Sequence, residues 1–183
     1  MPDRPARILL VSGSTRSGST NTALLRAALA ACPPGVEARL FEGMTDLPHF
    51  NPDDDVDPLP PAVIHLRREI AAADAVLFCT PEYAGALPGT FKNLLDWTVG
   101  GPEMYEKPVA WVNAAGSPTR GAKAHESLET VLRTIHAEIV REACTHVPVP
   151  RDRVGPDGGV DDPEILGRMG EVLRVLARHV AVR

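Results

Sequence analysis

The chain lacks the marks of several broad protein classes. No apolar run approaches the roughly 20 residues of a membrane span. The opening Met-Pro-Asp-Arg-Pro-Ala-Arg contains no apolar core of the kind a secretory signal carries. A cytosolic protein with no membrane partner is the expectation. Lys and Arg form no cluster and the formal charge is -5, so nucleic acid, which needs many cationic contacts to phosphates, is not an expected partner. Cysteine is scarce: Cys32, Cys79 and Cys144 stand without paired or metal-type spacing, an odd count that suits a reducing compartment. All three read as small core residues. The six histidines, His125 among them, show no His-x-x-His or His-Glu-x-x-His grouping, so no metal site is expected and each reads as a surface or half-buried residue. The run Asp53-Asp54-Asp55-Val56-Asp57 lacks the glycine and distal Glu of a calcium loop and reads as a solvated loop.

With 183 residues the chain can build one good core but not two comfortable ones, which predicts a single domain over 1–183. Strand-length apolar runs fall at residues 7–12, 36–41, 75–79, 109–113 and, more weakly, 138–146. Helical spacing lies between them: Leu24, Leu25, Ala28 and Leu29; Val63, Leu66 and Ile70 after Pro60-Pro61; Phe91, Leu94 and Leu95 after Pro88-Gly89; Leu128, Val131 and Leu132. The last helix is the clearest, with Asp162 as cap, Pro163 in the first turn, then Ile165, Met169, Val172, Leu173 and Leu176. Strict alternation of strands and helices predicts an α/β three-layer sandwich around a five-stranded parallel sheet. In such sheets ligands sit beyond the carboxyl ends of the strands, at the point where the strand order reverses. The loops after Ser12, Cys79 and Asn113 are therefore the ones that could carry function.

The first of these loops, Gly13-Ser14-Thr15-Arg16-Ser17-Gly18-Ser19-Thr20-Asn21, joins an apolar strand to an apolar-periodic helix. Converging backbone N–H groups, clustered hydroxyls and a helix N-terminus worth about half a positive charge make a cradle for phosphate. Arg16 adds a planar fork that fixes an anion's orientation. The loop has neither the Gly-Lys-Ser/Thr ending of a triphosphate P-loop nor the spaced glycines of a dinucleotide site, so a terminal monophosphate fits best. The alternative is an ordinary strand-to-helix turn that Ser19 or Asn21 merely caps.

The second loop, residues 80–89, mixes rigid prolines with Tyr83 and would face the first across the switch point. It reads as a wall for a flat ligand, its backbone amides free to bond the polar edge of a ring. The alternative is a stiff connector between strand and helix.

On these two segments the chain resembles the NADPH-dependent FMN reductases of flavodoxin-like fold, relatives of quinone, azo-dye and chromate reductases. Their phosphate loop reads G-S-x-R-x-x-S-x-N, matched by Gly13, Ser14, Arg16, Ser19 and Asn21. Their flavin loop reads P-E-Y-N-x-x-x-P-G-x-L-K-N-A-I-D-W, matched by Pro81, Glu82, Tyr83, Pro88, Gly89, Lys92, Asn93, Asp96 and Trp97. Ala84 stands where the family has Asn, and Phe91 with Leu94-Leu95 replaces Leu and Ala-Ile.

The resemblance implies that Ser14, Arg16, Ser19, Thr20 and Asn21 hold the FMN phosphate and that Pro81, Glu82, Tyr83 and Ala84 line the ring. Gly116 and Ser117, with Ala115 and Arg120, would supply a third contact; the alternative for this loop is a turn leading into the helix after Gly121. It further implies NADPH or NADH as hydride donor to flavin N5, a small acceptor such as a quinone, azo compound, chromate or free flavin, and a homodimer or homotetramer. No catalytic acid or base is required, and Glu82 reads as a brace for its loop. A flavodoxin-like electron carrier is the alternative. Carriers shield both ring faces with aromatics, and the two Tyr, two Trp and four Phe here leave only Tyr83 suitably placed. A phosphate binder without redox function would explain the first loop but not the second.

Overall fold

The computed structural model describes residues 4–183. Five strands in sequence, β1 (Ala6–Ser12), β2 (Val36–Leu40), β3 (Ala75–Cys79), β4 (Pro108–Asn113) and the short β5 (Glu138–Ile139), line up in the order β2-β1-β3-β4-β5, with β6 (Thr145–His146) also pairing with β4. Every ladder is parallel. This is the 2-1-3-4-5 order of flavodoxin-like sheets, whose switch point lies between β1 and β3.

The strands are buried on both faces because successive side chains point to opposite sides of a sheet. Ile8, Leu10, Ala75 and Leu77 meet α1 (Thr20–Ala30) and α5 (Pro163–Ala181) through Leu24, Leu25, Met169 and Leu173. Leu9, Val11, Val76 and Phe78 meet α2 (Pro61–Ala72), α3 (Gly89–Asp96) and α4 (Ala122–Thr134) through Leu66, Phe91, Leu94 and Leu128. Two apolar clusters thus flank one sheet, the expected three layers.

Four expectations need correction. The run at 138–146 is two strand pieces, because Arg141-Glu142-Ala143 forms a 3₁₀ turn between them. Its charged pair breaks the apolar run, and Arg141 leaves the sheet to bond Glu129 on α4. The acidic run at 53–57 is not wholly solvated: Asp55 pairs with Arg67 at 2.7 Å, both side chains nearly buried. Of the cysteines only Cys79 is fully in the core, while Cys32 and Cys144 are half-buried. His125, expected at the surface or half-buried, is buried against Trp111, their rings stacked with centroids 6.2 Å apart.

Candidate active site

At the carboxyl end of β1 the chain must turn sharply into α1, and Gly13 fits where no other residue would. A Cβ there would lie 2.3 Å from Thr80 Oγ1 and 2.9 Å from Phe91 Cδ1. The Gly13 amide donates to the Cys79 carbonyl at 2.8 Å, which ties the first loop to the end of β3. The Ser12 hydroxyl bonds Thr22 Oγ1 at 2.8 Å and anchors the loop to the first turn of α1. Ser19 is the helix cap, its hydroxyl oxygen accepting from the amides of Asn21 at 3.2 Å and Thr22 at 3.5 Å. Capping uses that oxygen as acceptor and leaves its proton free, so capping and anion binding are compatible. The first turn of α1 contains no acidic residue, and its positive end is therefore not neutralised from within.

Asn21 is buried, and its Oδ1 accepts from the Cys79 thiol at 3.3 Å. Its amide Nδ2 is thereby left as the unengaged end. Burial pushes the Cys79 pKa well above its usual value, so the thiol stays protonated as that donor.

The second loop is braced from across the switch point. Glu82 Oε2 accepts from the Lys123 amide at 3.1 Å. The cap residue of α4, Gly121, has no side chain to offer, so Glu82 fills that role and meets the positive end of the helix. Beyond it, Tyr83 and Ala86 exchange backbone hydrogen bonds of 3.1 and 3.0 Å around Ala84 and Gly85. Both central residues have positive φ, 51° and 75°, the signature of a type I′ turn. Ala84 is the residue that replaces the family's Asn. Asparagine tolerates that left-handed conformation better than alanine.

The third loop is organised by Asn113, which closes β4. Its Oδ1 accepts from the Ala115 amide at 3.0 Å and its Nδ2 donates to the Arg120 carbonyl at 2.8 Å. His146 Nε2 meets the Ala115 carbonyl at 2.6 Å and steadies the same loop from β6.

These loops enclose a cavity of about 640 Å³, within the range of cofactor pockets, about 300–1,000 Å³. Ser14, Arg16, Ser19, Thr20 and Asn21 line one side, Pro81, Glu82 and Tyr83 the middle, and Gly116 the other side. Nine of the eleven residues singled out in the sequence are thus brought together. Two are not. Ala84 sits in the outward turn, and the Ser117 hydroxyl bonds Thr119 Oγ1 at 3.1 Å away from the wall. Thr80, Asn113, Val149, Pro150 and Arg151 also line the cavity and were missed. Asn113 could have been found as the polar residue closing a buried strand; the 149–151 segment follows the broken strand and carries no comparable signal. Among the described residues no group of three or more His, Cys, Asp or Glu could hold a metal ion. No described helix is long and apolar enough to cross a membrane.

A doubly wound parallel sheet whose switch point opens on a cavity with a helix N-terminus that no acidic residue neutralises, hydroxyls and guanidinium groups defines an α/β protein that binds phosphate-bearing cofactors. The chain belongs to the NADPH-dependent FMN reductase family, whose model matches residues 6–149. It is 33% identical over 172 residues to a probable NADPH:quinone oxidoreductase of Oryza sativa subsp. japonica, covering 91% of this chain and 85% of that one. It is 39% identical over 128 residues to an NAD(P)H-dependent FMN reductase of Pseudomonas aeruginosa, covering 69% of each. Among solved structures, the flavoenzyme NAD(P)H:acceptor oxidoreductase FerB of Paracoccus denitrificans superposes with a TM-score of 0.82 at 25% identity, over 97% of this chain and 98% of that one. The protein is an oxidoreductase of NAD(P)H-dependent, FMN-containing type.

Proposed function

We propose that the cavity between the three loops is the FMN site and that the enzyme reduces a small acceptor of quinone type. The donor set suits the cofactor. Ser14, Arg16, Ser19, Thr20 and Asn21 line the cavity beside the N-terminus of α1, and their hydroxyls, free amide end and guanidinium are the donors that would hold a terminal phosphate dianion. Pro81, Glu82 and Tyr83, opposite Ala114 to Gly116, supply main-chain groups for the polar edge of a ring.

When bound, FMN supplies the two-electron chemistry between a reduced nicotinamide and the acceptor. The protein's own tasks are positional. Arg16 and the α1 terminus fix the phosphate, Glu82 holds the ring wall against α4, and Asn113 keeps the third loop in register with both. No wall residue is required to move a proton. The observation that carries the reductase reading over an electron carrier is the wall itself: Tyr83 is its single aromatic residue, and it is 53% exposed. That leaves a ring face open to a donor and an acceptor in turn.

Residues 4–183 serve this one site as a single domain, since α5 packs on α1 and beneath β1, the elements that build the phosphate loop. A homodimer is supported by Val99 and Tyr105, large side chains left exposed just after α3. A cytosolic location is supported by three unpaired cysteines.

The assignment of the phosphate end is tested by titrating FMN into the wild type and Arg16→Ala. Loss of a charge-assisted hydrogen bond should weaken binding by about 1.5–3 kcal/mol. Unchanged affinity would place the phosphate elsewhere.

A further inference from the structure

The chain has 16 arginines. Twelve of them reach a carboxylate or a carbonyl: Arg67 meets Asp55, Arg141 meets Glu129, Arg168 meets the His146 carbonyl, and the others are similarly engaged. Among the described residues Arg16, Arg68, Arg120 and Arg151 have no such partner. Arg68 lies on α2, away from the cavity, whereas the other three all line it. The cavity wall contains one carboxylate, Glu82, already engaged with the Lys123 amide. A protein of net charge -5 therefore gathers three of its four unpaired guanidinium groups around one cavity.

One phosphate does not use three arginines placed this way. Arg16 follows β1, Arg120 follows β4 and Arg151 follows β6, on the far side of β4 from β1. Neighbouring strands are about 4.8 Å apart, so the strand ends that carry Arg16 and Arg151 are separated by about 14 Å. Arg120 and Arg151 are exposed at the rim, one on the Asn113-braced loop and the other on the turn Arg151–Arg153 that follows it in space. They suit the solvent-facing end of a long ligand that carries a second dianion.

We propose that Arg120 and Arg151 bind the 2′-phosphate of NADPH and set the enzyme's preference for NADPH over NADH. This rests on the FMN-site reading above, which commits Arg16 to the flavin phosphate. A 2′-phosphate is the one group that distinguishes the two dinucleotides, and arginine forks match its geometry. The two residues act in recognition and leave the reacting atoms to the ring site.

The test is calorimetric titration of FMN-soaked, desalted protein with adenosine 2′,5′-bisphosphate and with adenosine 5′-monophosphate. The bisphosphate should bind at least about tenfold tighter to the wild type, as expected for added charge-assisted hydrogen bonds. Arg120→Ala and Arg151→Ala should each erode that ratio several-fold, the double variant should abolish it, and Arg151→Lys should restore part of it by retaining the charge. The ratio of kcat/KM for NADPH to that for NADH should fall in parallel. Equal affinities for the two nucleotides in the wild type, or a ratio that the alanine variants leave unchanged, would overturn the proposal. Flavin absorbance of the same samples separates the two levels. Retained flavin with no bisphosphate preference defeats this inference alone; a wild type that retains no flavin defeats the FMN-site reading and this inference with it.

Discussion

Single residues at this site serve two demands at once, and Ser19 and Ala84 show how. Ser19 was open to two readings, phosphate donor or helix cap. The geometry makes it the cap while leaving its proton available. Ala84, in contrast, departs from the family pattern and has the left-handed backbone that alanine disfavours, at φ 51°. With Gly85 next to it, Ala84→Asn would create the Asn-Gly pair that type I′ turns prefer. That substitution should raise stability by about 0.5–1 kcal/mol, against a left-handed cost of about 1–2 kcal/mol for ordinary residues, measured by denaturant unfolding. Because Ala84 is off the cavity wall, FMN affinity should change little. A large change in flavin binding without a gain in stability would show that the side chain reaches the ligand after all.

At the scale of elements, two contacts tie α4 to the parts that flank the site. Glu82 caps it at one end, and Glu82→Ala should destabilise the protein by about 0.5–2 kcal/mol, the usual effect of losing a cap. Faster hydrogen exchange at the Lys123 amide would be the local sign of that loss. Glu82→Gln keeps an acceptor and should cost less. Further along the helix, Glu129 accepts from Arg133 and Arg141, and the Arg141 guanidinium holds its pKa down to about 2. A depressed carboxylate pKa contributes stability above the unfolded value, about 4.3. That contribution is lost as pH falls through about 2. The stability gap between wild type and Glu129→Gln should therefore be complete above about pH 5 and close progressively towards pH 2, followed by thermal unfolding across that range. A gap independent of pH would mean that the ion pair is not its source.

The same scale shows what sequence could and could not reveal. Periodicity placed β1, β3, β4 and all five helices because each buries an apolar face that repeats at the element's own period. It merged β5 and β6, since the turn at Arg141–Ala143 depends on a tertiary pairing with Glu129. Local motifs revealed the residues of the first two loops, where function is written in contiguous sequence. Arg151 was hidden because its place at the cavity arises only when the ends of β4 and β6 come side by side in space.

Over the whole molecule, an acidic protein directs unpaired cationic groups towards the carboxyl end of its sheet. The field there favours anionic cofactors even though the net charge opposes them, because local charge and the α1 dipole act at close range while the remainder is screened by salt. The sheet supplies rigidity, with all three loops leaving neighbouring parallel strands, so the donors are held in place before any ligand arrives. The most direct test of the account soaks the purified protein with FMN, desalts it, records the absorbance spectrum and then adds NADPH without oxygen. A retained flavin band that bleaches rapidly is the predicted result. A protein that retains no flavin, or one whose flavin band persists with NADPH, would contradict it.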